Sequence, residues 1–323
     1  YNVCIMAYGQ TGSGKTYTML GPQLENSFHF PVEDETELGI IPRASKEVFR
    51  LLSEKPPGNH WVEVSVVEVY NNEVFDLLAK DNSGRLNGIK RGIMTNKEGK
   101  SDIPLLTYEP VEDVVEFLEL VTQGLQLRAK HPTLVHTDSS RSHLVITLTI
   151  TIKPASEDDF APPWAGDHSS QKLGKQHFFT SPNSSRVSSP AQLFRKSVER
   201  LKRMRTKLQL VDLAGSECVG MSGVTGSLLR ETSFINRSLS ALADVLGAIS
   251  EQHSHIPYRN SKLTHLLQDA IGGDAKLLVL LCVSPSQKYI TESLQTLGFG
   301  SRARQVQRGH AKKRNELVLN KSK

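Results

Sequence analysis

Short apolar runs alternate with stretches of helical spacing along most of this chain. Tyr1 to Tyr8 (YNVCIMAY) is brief, apolar and closed by Gly9, which predicts a buried strand. A glycine-rich loop follows, with a helix starting at Thr16. Ile41 to Leu52 and Val111 to Leu127 repeat their apolar positions at helical intervals. Between them Trp61 to Val69 (WVEVSVVEV) alternates as a strand, and Asn71–Asn72 marks a turn. His143 to Ile152, rich in β-branched residues, and Leu208 to Leu213 predict further strands. Ser233 to Ile249 and Ser261 to Ile271 predict helices, and Lys276 to Val283 a last strand. Strands alternating with helices imply a layered α/β domain.

Pro154 to Thr206 interrupts that order. Its 53 residues include nine Ser and five Pro, a composition that predicts a disordered insertion between two adjacent antiparallel strands. Only Ala191 to Arg205 has the spacing of a basic helix.

Composition narrows the class. With 38% hydrophobic and 23% charged residues among 323, the chain can bury a sizeable core. Its longest apolar run, Leu277 to Val283, is far short of the roughly 20 residues a spanning helix needs. Charge is uneven. Ser301 to Lys323 holds eight Lys/Arg and one acid, whereas residues 1–300 hold 31 basic and 33 acidic residues. The net +5 therefore describes a near-neutral body with a basic tail, placed at 307–323, of a kind that suits nucleic acid, a membrane or an acidic protein surface. Cys4, Cys218 and Cys282 are scattered and form no CxxC, against a disulfide framework or a zinc site.

The strongest chemical signal is Gly9 to Thr16, GQTGSGKT, a full match to GxxxxGK[ST] that a random chain of this length shows about 1% of the time. Gly9, Gly12 and Gly14 let the backbone N–H groups of the loop, with Gln10, Thr11 and Ser13, turn toward phosphate oxygens. The helix start adds a positive end. Lys15 supplies charge for the β- and γ-phosphates of a nucleoside triphosphate, and the Thr16 hydroxyl a ligand for Mg²⁺. Such a site also needs an acid at the end of a neighbouring strand. Asp212 ends LQLVDL and would hold a water on Mg²⁺, and the Gly215 N–H would sense the γ-phosphate.

With these residues in hand, the chain resembles the kinesin motor domain over nearly its whole length outside the insertion. AYGQTGSGKTYTMLG, GIIPR, VEVYNNEVFDLL, SSRSH, LVDLAGSE, INRSLSAL, HIPYRNSKLTHLLQD and GGDAKLL occur in order. The ending QVQRGHAKKRN is similar to that of the C-terminal-motor, minus-end-directed group. The resemblance implies a P-loop NTPase with a mixed β-sheet flanked by helices on both faces, here spanning 1–306 and truncated at its N-terminus. It implies an ATP hydrolase that couples switch closure to microtubule binding and movement, at a cytoplasmic, microtubule-bound location that includes the spindle or centrosome. Neither a membrane nor direct nucleic-acid contact is expected.

The resemblance also implies roles. SSRSH is the first switch, in which Ser140 coordinates Mg²⁺ and Ser139 lies near the phosphates. DLAGSE is the second. Arg141 and Glu217 pair when the switches close, ordering the attacking water. Tyr17 stacks on adenine; the alternative is an ordinary core aromatic. The microtubule face is expected from Arg230, Arg237, His255, Tyr258, Arg259 and Lys262, whose positive members attract acidic tubulin.

Departures from the family pattern are also legible. His136 stands where Asn is usual, and imidazole cannot copy a carboxamide's paired donor and acceptor. Phe234 replaces an Asn, and Gly298 and Gly300 lie in the final helix. About 80 residues of a usual motor are expected upstream of Tyr1, with a coiled coil that would make a dimer. His136 and that gap favour a second reading: a microtubule-binding regulator with weak or no ATPase activity.

Overall fold

β1 (Val3–Tyr8) is the strand from which the site is built, and it lies between two parallel neighbours. In this computed structural model residues 1–22, 38–56, 58–97, 99–130, 139–153, 204–217, 227–272 and 275–306 are described. Residue 136, most of the 154–206 segment and the 307–323 tail lie outside them.

After β1 come α1 (Lys15–Leu20), α2 (Ile40–Ser53), β2 (His60–Tyr70), β3 (Glu73–Asp76), β4 (Ile89–Arg91), β5 (Met94–Thr95), β6 (Ser101–Asp102) and β7 (Glu109–Val111). Then follow α3 (Val114–Lys130), a 3₁₀ turn at Ser139–Arg141, β8 (His143–Ile152), β9 (Met204–Asp212) and α4 (Ser227–Ser250). A 3₁₀ turn at Tyr258–Asn260, α5 (Lys262–Leu266), α6 (Gln268–Ile271), β10 (Lys276–Leu281) and α7 (Ile290–Arg304) complete the order.

The main sheet runs β10-β1-β9-β8-β2-β3-β4, with β7 also on β2. β1 is parallel to β10 and β9, and the pairs from β9 to β4 are antiparallel, so the sheet is mixed as expected. Alternation along each strand makes two cores. Cys4, Met6, Val67, Val69, Val145 and Val211 face α4 to α7. Ala7, Val64, Val66, Leu144, Ile146 and Leu210 face α1 to α3. Helices thus cover both faces. The Asn71–Asn72 turn joins β2 to β3 with both residues at positive φ, the backbone of a two-residue hairpin.

Local chemistry moves several expected boundaries. The second long helix starts at Val114, not Val111, because the Asp113 carboxylate accepts the N–H groups of Val115 and Glu116 at 2.8 and 2.9 Å. The 261–271 helix is two short ones, broken at Leu267 (φ −85°, ψ 2°), and Ser261 caps the first through a reciprocal box with Thr264. Residues 204–206, read as insertion, belong to β9, where Met204 pairs with Ile152. β8 and β9 are adjacent and antiparallel, so the segment between them leaves and returns at one place.

β10 is an edge strand. Leu278 on it and Ile290, Leu294 and Leu297 on α7 are each at least half exposed.

Candidate functional site

Ala7 and Asp212 are register partners on parallel β1 and β9, so the phosphate loop and the acid leave the sheet at the same level. This is the carboxyl end of parallel strands, where open α/β sheets bind ligands. Gly12 and Gly14 hold φ of 75° and 89°, which L side chains rarely adopt. Gly9 is needed for another reason: a Cβ there would overlap the Cys282 carbonyl oxygen.

Lys15 is 5% exposed, and its Nζ donates to the Gln10 carbonyl at 2.8 Å. Burial lowers its pKa, and the nearby Asp212 and Glu217 charges offset this only in part. Thr16 Oγ1 donates to Asp212 Oδ2 at 2.9 Å, so the two expected Mg²⁺-binding groups are already adjacent. The other oxygen, Asp212 Oδ1, is buried without a hydrogen-bond partner. An orphaned carboxylate oxygen on a residue already bonded to the Thr16 hydroxyl offers the hard oxygen donors that Mg²⁺ prefers. The residues fit the ion. Tyr17 is 59% exposed at the loop's mouth, which excludes the core-aromatic alternative and leaves its ring free to stack.

The second switch motif is stitched to its surroundings by consecutive N–H groups. Ala214 donates to His143 Nδ1 at 3.0 Å, Gly215 to the Ser140 carbonyl at 2.7 Å, and Ser216 to the Gly9 carbonyl at 3.0 Å. Glu217 then accepts from the Thr11 N–H and hydroxyl at 2.9 and 2.6 Å. A Cβ on Gly215 would overlap Thr11 and Glu217. Four consecutive residues, Ala214 to Glu217, therefore bind phosphate loop and first switch motif together. In this arrangement the Gly215 N–H donates to the Ser140 carbonyl, and Arg141 bonds Glu231 on α4 at 2.9 Å. Ser139 enters as the first residue of the 3₁₀ turn.

Arg128 went unnoticed in the sequence. Its guanidinium donates to the Ser142 hydroxyl (2.9 Å), the Ser142 carbonyl (2.7 Å) and Asp212 Oδ2 (3.3 Å), and lies 3.9 Å from Glu68. The available signal was electrostatic: Asp212 and Glu68, carboxylates on interior strands, need a buried cation.

A cavity of about 410 Å³ gathers Arg237 of α4, Arg259 and Lys262 with Asn72, Thr95 and His265. Arg259 and His265 both hydrogen-bond the Thr95 hydroxyl, at 3.1 and 2.9 Å. Burial, with Arg259 and Lys262 nearby, lowers the His265 pKa. Arg230 and Arg237 are exposed seven residues apart on α4, and His255 is exposed in the following loop. Tyr258 is half buried, its hydroxyl against Gly272.

The loop and its acid on a mixed sheet define a P-loop NTPase fold. Residues 1–306 match the kinesin motor domain profile. The chain belongs to the kinesin motor domain family. It is 57% identical over 315 residues to the kinesin-like protein KIF25 of Macaca fascicularis, a match covering 97% of this chain and 54% of that protein. It is 52% identical over 315 residues to KIF25 of Homo sapiens, covering 97% of this chain and 82% of the relative. A solved structure of a fast kinesin superposes with a TM-score of 0.70 at 31% identity, over 99% of this chain and 75% of that one. The chain thus spans about half the length of the macaque relative.

Proposed function

We propose that this chain is the catalytic body of a microtubule-dependent motor that hydrolyses ATP to ADP and phosphate. One observation carries the reading: the 212–217 segment is bonded at once to the phosphate loop and to the first switch motif, while α4, two bonds away, carries an exposed basic face. Nucleotide state and surface are thereby linked.

In this reading Lys15 and the loop N–H groups hold the β- and γ-phosphates. Thr16 and Ser140 ligate Mg²⁺ directly and Asp212 through water; the ion, when bound, neutralises phosphate charge. Tyr17 stacks on the base. Closure requires three exchanges: Lys15 leaves the Gln10 carbonyl, Gly215 leaves Ser140 for the γ-phosphate, and Arg141 leaves Glu231 for Glu217. The closed pair excludes bulk water and orients one water for in-line attack. Arg230, Arg237, Arg259, Lys262 and His255 meet the acidic microtubule surface. The cytoplasmic microtubule array, including spindle and centrosome, is where such a protein acts. The exposed Leu278 on edge strand β10 supports the expectation that the motor sheet is incomplete on that side, and an upstream coiled coil would supply dimerisation.

The test is steady-state ATPase with and without microtubules, in the parent and in Lys15→Ala. Stimulated turnover that Lys15→Ala abolishes is expected. Microtubule binding with no turnover in the parent replaces this reading with that of a binding protein.

A further inference from the structure

His143 is the first residue of β8, directly after the first switch turn, and is 2% exposed. Its ring is bonded on both sides. Nδ1 accepts the Ala214 N–H at 3.0 Å, so in the neutral ring the proton sits on Nε2. Nε2 donates to Ser238 Oγ at 2.7 Å, and that hydroxyl donates to the Ile235 carbonyl at 2.7 Å. Burial, with the Arg128 and Lys15 charges nearby, pushes the imidazole down to about 3, so this single neutral tautomer persists. A line of directed bonds therefore runs from the backbone of the second switch motif, through one ring, to the backbone of α4.

Filling space would not need this chemistry. The contacts join three separate segments, and both ring nitrogens are used. Ala214 lies between Asp212 and Gly215, and the next two N–H groups hold Ser140 and Gly9. On α4, Ser238 is buried directly after the exposed Arg237 of the basic face. A shift of α4 on its partner would move Ser238, the ring and the Ala214 peptide together.

We infer that His143 is a positioning residue that transmits the placement of α4 to the 212–217 segment, so that docking of the basic face is read at the nucleotide site. The inference rests on the proposed reading of a microtubule-stimulated ATPase.

Ser238→Ala cuts the line at α4 and leaves Ala214 bonded to His143. Expected is a loss of stimulated kcat of about fivefold to tenfold, the worth of one buried hydrogen bond. Half-saturating microtubule concentration and unstimulated turnover stay within about twofold, a split that a merely structural role would not give. Ser238→Thr, which restores the hydroxyl, recovers most of the stimulation and guards against an Ala variant that folds poorly. His143→Asn keeps an acceptor near Nδ1 but cannot reach Ser238, so adding it to Ser238→Ala costs little more in stimulation. Full stimulation in Ser238→Ala overturns the inference, as do equal losses of basal and stimulated turnover or additive losses in the double variant. A parent that is not stimulated at all overturns the proposed function and this inference with it.

Discussion

Arg141 donates to Glu231 at 2.9 Å, while Glu217 is held by Thr11. The pair is partly shielded, with the guanidinium 23% and the carboxylate 8% exposed. In the proposed mechanism Arg141 therefore has two acidic claimants, Glu231 on the helix of the basic face and Glu217 in the second switch motif. In that reading, which of them holds it separates the open arrangement from the closed one.

Removing the α4 claimant should favour closure. Glu231→Gln is expected to raise ATP turnover without microtubules by about threefold to tenfold, since a partly screened ion pair is worth about 1 kcal/mol. Arg141→Gln and Glu217→Gln should each lower turnover while sparing nucleotide affinity, and their losses should not add. If Glu231→Gln loses turnover as severely as Arg141→Gln, the two residues cooperate and the competition is refuted.

The buried imidazole makes stability depend on pH. His143 stays neutral in the fold down to about pH 3, whereas in the unfolded chain it protonates near its ordinary 6.5. Below that ordinary value the unfolded state binds a proton that the fold refuses. Stability should thus be level above neutrality and fall by about 1 kcal/mol per pH unit as pH drops from about 6.5 toward 3. Urea midpoints at several pH values would measure this, and His143→Gln should flatten the slope; an unchanged slope would assign it to other groups.

The two glycines of α7 should behave differently. A Cβ on Gly298 meets open space, while one on Gly300 overlaps Leu281 Cδ1. Gly298→Ala is expected to stabilise by up to about 1 kcal/mol through helix propensity. Gly300→Ala gains the same propensity but must move Leu281 on the edge strand, so its thermal midpoint should not rise. Equal gains at both positions would show that Leu281 yields freely.

Joining Lys153 to Met204 by a short turn tests the segment between β8 and β9. Ile152 already pairs with Met204, so the strand ends are at hairpin distance. Closure entropy grows slowly with loop length, about 0.6 kcal/mol per doubling, so folding and ATPase should survive the replacement. Loss of either would mean that residues within the segment pack or act.

What the sequence revealed was whatever one segment decides alone. GQTGSGKT needs only its own glycines, and the His143–Ile152 strand only its β-branched run, so both were legible. Boundaries failed where a single side chain set them: Asp113 starts α3, and Leu267 divides 261–271. Partnerships between distant segments were less legible. Nothing within SSRSH says whether Arg141 faces Glu217 or Glu231, because the choice depends on how α4 lies against β8. Arg128 was missed because a helical Arg usually faces water, and its burial follows only once Glu68 and Asp212 are brought to one place.

Arg128 supplies the last prediction. Its side chain and those of Glu68 and Asp212 are all at most 5% exposed, so the three charges share one dry region. Deleting the cation strands two carboxylates, and breaking such a buried pair costs about 3–5 kcal/mol. Arg128→Ala should be destabilised by about that much in urea. Arg128→Lys keeps the charge but not the planar fork that reaches both the Ser142 hydroxyl and its carbonyl, so it should fall between the two. The source of the loss can be separated by adding Asp212→Asn. If the cost is an unpaired charge, neutralising Asp212 in the Arg128→Ala background should restore part of the stability, although the same change in the parent does not stabilise. Recovery should be incomplete, because Glu68 remains. Losses that simply add would mean that Arg128 acts through packing and its bonds to Ser142, and that Asp212 is held by Thr16 alone.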